Sequence, residues 1–149
     1  MYIVSACLAG IKCMYNGNSS ENELVMKLIK EGNAIAVCPE LLGGLKTPRT
    51  ACEIIVDDKG IRKVVTSDGK DFTKEYEEGA RKTLAIAKEK GIVKAILKSR
   101  SPSCGCGLIH DGTFTEAMVK GNGLTADLLL RNGIEVYSEK EIDNIKIND

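Results

Sequence analysis

The chain has 149 residues, 43% hydrophobic and 28% charged, which suits one domain with one core and excludes a disordered or fibrous protein. Twenty-one basic residues balance twenty-one acidic ones, so no overall positive field draws the protein to nucleic acid, and no apolar run approaches the roughly 20 residues of a membrane helix. Met1-Tyr2-Ile3-Val4-Ser5-Ala6 carries no basic leader, so a cytoplasmic location is expected, where six cysteines serve metal binding or catalysis better than structural disulfides.

In chain order, Tyr2-Ile3-Val4 reads as a buried strand, and residues 10–17 lack apolar periodicity and read as loop. Ser20 and Glu23 fit a capping box, in which each side chain satisfies the other's free backbone donor, ahead of an apolar face of Leu24, Met26, Leu28 and Ile29 that stops near Gly32. Residues 34–37 form the second strand, which runs into a Cys38-Pro39-Glu40 loop because proline has no N–H for the ladder. After the glycine- and proline-rich loop 43–49, residues 53–56 and 61–65 flank Asp57-Asp58-Lys59-Gly60 as a hairpin. Residues 72–90 repeat apolar positions at helical spacing and form the longest helix, with Gly91 as its stop. A third strand over 93–97, a short helix over 125–131, a last strand over 134–137 and a helical tail complete the pattern.

This alternation predicts a single α/β domain over 1–149. The expected form is three-layer, flavodoxin- or Rossmann-like: a parallel or mostly parallel sheet, helices on both faces and a small β-hairpin insertion. Ligands of such sheets sit beyond the carboxyl ends of the strands, where strand order reverses. Cys7, Cys38 and Cys104 each follow a different predicted strand, so they are expected to converge at one edge.

Thiolates from three separate loops do not fit the paired CxxC spacing of zinc knuckles, whereas iron-sulfur clusters accept scattered thiolates. A 4Fe-4S cubane held by three of them keeps one iron open to substrate. A lone buried cysteine is by default a small hydrophobe; three at strand ends argue otherwise. Cys13, six residues after Cys7, is a possible fourth ligand, a catalytic thiol or a bystander, and Cys52 and Cys106 read as packed thiols. The glycines at 105 and 107 are expected to let the backbone approach a cofactor. Glu40, two residues past Cys38 in a proline-stiffened turn, is placed for general-base or proton-shuttle work, against the plain alternative of a solvated glutamate. Ser101 and Ser103 either contact substrate or cap the next element. Lys46, Arg49, Lys98 and Arg100 form a modest positive rim or are ordinary surface charges, and His110, the single histidine, reads as a turn residue.

Four ordered segments, VSACLAG at 4–10, CMYNG at 13–17, VCPELLGGLKTPR at 37–49 and SRSPSCG at 99–105, together resemble the thiouracil desulfidase family. The likeness continues through Asp111-Gly112-Thr113-Phe114 and 121–126. It implies a non-redox desulfuration in which Cys7, Cys38 and Cys104 hold a 4Fe-4S cluster, Glu40 transfers protons and Ser101 positions or relays them. The implied substrate is a small thiolated pyrimidine, and the oxo base and hydrosulfide are the products. Met14-Tyr15-Asn16 stands where relatives often carry Arg-Tyr-Asp, and Lys46 replaces an often uncharged residue. Two other readings fit the cysteines alone: a zinc-binding structural domain using Cys7, Cys13, Cys38 and Cys104, and a metal-free thiol carrier of sulfur.

Overall fold

The computed structural model describes residues 1–142; the part of the expected helical tail in 143–149 lies outside the described residues. The chain runs β1 (Tyr2–Ser5), a 3-10 turn (Ala6–Ala9), α1 (Glu23–Lys30), β2 (Ala34–Val37), α2 (Pro39–Leu42), β3 (Cys52–Val56) and β4 (Arg62–Thr66). It continues through α3 (Thr73–Glu89), β5 (Lys94–Leu97), β6 (Leu108–His110), β7 (Met118–Lys120), α4 (Leu124–Arg131) and β8 (Glu135–Ser138).

Four strands pair in parallel in the order β2-β1-β5-β8, so the direction of travel across the sheet reverses between β1 and β5. This is the doubly wound arrangement expected from the alternating pattern. Side-chain alternation along the strands separates two cores. Tyr2, Val4 and Ile96 pack with Val25 and Leu28 of α1 on one face. Ile3, Ala95 and Leu97 pack with Ala87 of α3 and with Ala126 and Leu129 of α4 on the other. Because β1 and β5 are covered on both faces, they read as near-continuous apolar runs.

Two antiparallel pairs stand outside this sheet. The expected hairpin is β3–β4, paired from Cys52 against Thr66 to Val56 against Arg62. The second, β6–β7, was not foreseen: its strands have three residues each, too short for period-2 alternation to register. A third, smaller core of Cys52, Ile54, Val64, Tyr76 and Ile109 joins both pairs to α3.

Local corrections have simple causes. Asn22, not Ser20, caps α1, its Oδ1 accepting from the Leu24 and Val25 amides at 3.0 and 3.1 Å. The helix begins at Glu23, which puts that residue at the first helical position rather than the third a capping box requires. The segment after β2 is not loop but the one-turn helix α2, with Cys38 as N-cap and Pro39 at the position where a missing N–H goes unnoticed. Helix α2 lies against α3 at Gly43 and Gly79, where an added Cβ would come within 1.9 Å of Glu75 O and of Pro39 O respectively.

Candidate functional site

The carboxyl ends of β1, β2 and β5 open on a cavity of about 380 Å³ whose other wall is built by the two hairpins and Tyr76. Cys7 lies in the 3-10 turn that follows β1, Cys38 at the cap of α2 after β2, and Cys104 in the loop after β5; all three line the cavity, and so does Cys13. Cys7, Cys13 and Cys104 are buried and Cys38 is half-buried.

The thiols interact. For Cys13, contact with the Cys38 thiol favours the thiolate, but contact with Cys7 and burial outweigh it, so its pKa is pushed up to about 11. Contact with Cys13 and burial raise Cys38 far above the ordinary thiol range. Burial drives Cys104 up to about 12 against opposing hydrogen bonds with Ser5 and Ser103. Cys13, Cys38 and Cys104 are therefore held as thiols at neutral pH, and a cation bound by any of them must displace its proton.

The loops that carry these sulfurs are tied down. Ser5 Oγ, at the end of β1, accepts the Lys98 amide at the end of β5 at 2.8 Å, bridging the two strands where their order reverses. Ser103 Oγ and Thr125 Oγ1 lie 2.7 Å apart and buried, joining the Cys104 loop to the start of α4. Arg100, just before that loop, holds the left-handed conformation at φ 67°, a strained geometry for a residue with a side chain.

Glu40 and Ser101, separated by 61 residues, meet at the cavity. Arg49 Nε donates to Glu40 Oε2 at 2.8 Å and its Nη2 reaches the same oxygen, so the two form a largely buried ion pair with side-chain exposures of 10% and 13%. The remaining side-chain bonds of Arg49 go to Cys13 O at 3.0 Å, Thr47 Oγ1 at 3.1 Å and Lys46 O at 3.2 Å, locking the Cys13 loop to α2. Ser101 Oγ accepts the Ser103 and Cys104 amides, both at 3.0 Å, and donates to Glu40 Oε1 at 3.3 Å. One hydroxyl thus couples the carboxylate of one loop to the backbone of a cysteine in another.

Other expectations fare differently. Arg49 is not a rim charge but the partner of Glu40; its place in a flexible-looking glycine and proline loop gave no sign of this. Lys98 pairs with Glu139 at 2.9 Å, Arg100 stays exposed at the cavity, and Lys46 is exposed and does not line it. Gly105 does not make room for a cofactor: a Cβ there would meet Ser101 O at 2.6 Å, so the residue serves the tight turn itself. The Gly107 amide donates to Asn122 Oδ1 at 2.8 Å. Cys106 lies outside the cavity, its thiol directed at Val136 O. Cys52 is packed as expected yet forms part of the cavity wall beside Tyr76, and Glu53 and His110 line the same wall. From the sequence Glu53 goes unmarked, Cys52 reads only as a packed thiol and His110 reads as a turn residue where it is the last residue of β6, because the hairpins that deliver all three are placed only by tertiary packing.

Among the described residues no three or more His, Cys, Asp or Glu side chains gather closely enough for a single metal ion. Cys7, Cys13, Cys38 and Cys104 instead line one cavity, brought there by separate loops. Soft sulfur donors from separate elements around a roomy cavity fit a polynuclear iron-sulfur group better than mononuclear zinc.

A profile of the 2-thiouracil desulfurase family matches residues 2–141. Uncharacterized protein YbbK of Bacillus subtilis (strain 168) is 48% identical to the chain over 150 residues, covering 97% of this chain and 99% of that protein. Among solved structures, the 4Fe-4S-dependent thiouracil desulfidase TudS superposes with a TM-score of 0.89 at 40% identity, covering 99% of this chain and 95% of its own.

Proposed function

We propose, for a chain that belongs to the 2-thiouracil desulfurase family, that it is an iron-sulfur-dependent, non-redox desulfidase acting on a thiolated pyrimidine. Carbon–sulfur hydrolysis adds one water and yields the oxo base and hydrosulfide. The observation that supports it most directly is the arrival of Cys7, Cys38 and Cys104 at one cavity from three strand ends, beside an ion-paired carboxylate.

Those three cysteines would hold the 4Fe-4S cluster, which supplies a Lewis-acidic iron for the substrate sulfur. Every other step falls to the protein. Glu40, with Oε2 committed to Arg49, keeps Oε1 toward Ser101 and the cavity, where it takes a proton from the attacking water. Arg49 fixes the orientation of the carboxylate. Ser101, whose oxygen already accepts two amides, has its proton directed at Glu40 and so orients that carboxylate and relays its proton. The cavity wall from the hairpins and Tyr76 limits water access and shapes a space suited to a small planar base. Balanced charge supports a free base in preference to thiolated RNA.

The test is hydrosulfide release from 2-thiouracil, 4-thiouracil and 4-thiouridine by anaerobically reconstituted protein. A brown preparation that turns over at least one of these is expected. A colourless protein with stoichiometric zinc, or turnover by cluster-free protein, would overturn the assignment. Replacing Cys7, Cys38 or Cys104 by alanine is expected to abolish retention of the visible cluster absorption, and parent-like iron content in any variant would remove that residue from the ligand set.

A further inference from the structure

Among the described residues two tyrosines line the cavity, Tyr76 and Tyr15, and they are placed in opposite ways. Tyr76 is 2% exposed, packed in the small core with Ile54, Val64 and Ile109. Tyr15 is 46% exposed, so its ring remains accessible to a ligand. The backbone that carries it is fixed. Tyr15 O accepts the Arg49 amide at 2.7 Å, Met14 O accepts the Gly17 amide at 2.8 Å, and Asn18 O accepts the Met14 amide at 3.1 Å. Arg49 in turn bonds Glu40 Oε2 and Cys13 O, which ties this turn to the carboxylate at the cavity. A tyrosine on a fixed turn moves about only two side-chain torsions, so its ring covers a ligand at low cost in entropy.

Resting on the desulfidase reading, we infer that Tyr15 is a substrate-recognition residue whose ring stacks on the face of the pyrimidine. A pyrimidine base has a polar edge, where its carbonyl, thiocarbonyl and N–H groups lie, and two flat faces. Glu40, Arg49 and Ser101 are hydrogen-bonding groups and serve the edge and the reacting atoms. A face is matched instead by another flat ring, and stacking of this kind is indifferent to substituents on the edge. Tyr15 therefore accepts a base whichever of its carbonyl oxygens sulfur has replaced, but it requires the ring to be flat. The contact is with the ring face and away from the bond being broken, so it acts on binding more than on the chemical step.

The experiment compares cluster-loaded parent with Tyr15→Phe, Tyr15→Leu and Tyr15→Ala. Calorimetry gives the dissociation constants of uracil and of 5,6-dihydrouracil, which keeps the same carbonyl and N–H groups on a ring that is no longer flat. Visible cluster absorption and the KM and kcat of thiouracil hydrosulfide release are read alongside. The parent should bind uracil about tenfold more tightly than the dihydro compound, the weight of one base–aromatic stack. Tyr15→Phe should keep that preference. Tyr15→Leu and Tyr15→Ala should lose it by weakening uracil about tenfold, with cluster absorption unchanged and with the loss in turnover carried by KM more than by kcat. A parent-like preference in the Leu and Ala variants, or its loss in the Phe variant, overturns the inference; if the Ala variant fails to fold, the Phe and Leu pair decides alone. A parent that releases no hydrosulfide from any thiouracil refutes the desulfidase reading, and calorimetry still judges Tyr15 separately. A parent that fails to bind uracil, or that binds both compounds equally, refutes the inference.

Discussion

At the scale of the residue, the site is organised around one carboxylate held by two different bonds. Arg49 takes Oε2 of Glu40 and Ser101 takes Oε1, so the group is fixed in orientation before any substrate enters. Replacing Glu40 by glutamine removes the base and weakens the pair with Arg49, yet leaves every thiol in place. Such a variant is expected to keep its cluster absorption and to lose about 10²- to 10⁴-fold in kcat, the range carried by a positioned general base. Hydrosulfide release at the parent rate would remove Glu40 from the mechanism. The residue scale is also where sequence reading was weakest about charge. Arg49 and Arg100 are both basic loop residues beside the motifs, but one is buried in an ion pair and the other is exposed.

At the scale of the element, α2 carries Cys38 at its cap and Glu40 in its first turn, and its position depends on a glycine-to-glycine contact. Gly43 faces Glu75 O and Gly79 faces Pro39 O, both at distances that no Cβ tolerates. Gly79→Ala therefore has to push the one-turn helix off α3, with its sulfur and carboxylate. Overpacking of this kind destabilises by about 1–3 kcal/mol, which for a chain of this size lowers the melting temperature by several degrees. Iron content after reconstitution should fall in parallel. A variant with the parent's melting temperature and iron content would show that this contact does not set the position of α2.

At the scale of the whole molecule, the thiols make stability of the cluster-free protein depend on pH. Cys13 and Cys104 have their pKa values pushed from 9.0 up to about 11 and about 12, so between pH 9 and those values the folded chain holds protons that the unfolded chain has released. Raising the pH across this window then favours unfolding. The cluster-free protein should melt at progressively lower temperature above pH 9, and Cys13→Ser should show a shallower decline. A melting temperature independent of pH from 8 to 11, or the same slope in both proteins, would contradict this account. A cluster held, as proposed, by Cys7, Cys38 and Cys104 would displace thiol protons and link three strand ends across the sheet.

The sequence by itself determined the doubly wound sheet, because strand and helix periodicities and their glycine and proline stops are local properties of the chain. It also brought three cysteines to one edge: in a parallel sheet every strand ends on the same side, so Cys7, Cys38 and Cys104 needed only to follow strands, whereas Cys13 and Cys52 reach the same cavity by loop and hairpin packing. Tertiary structure alone decided the rest. The pairing of Glu40 with Arg49, the reach of Ser101 across 61 residues, and the delivery of Cys52, Glu53 and His110 to the cavity wall depend on how the hairpins and α2 settle on α3. Those placements come from packing between elements distant in sequence, and no local period encodes them.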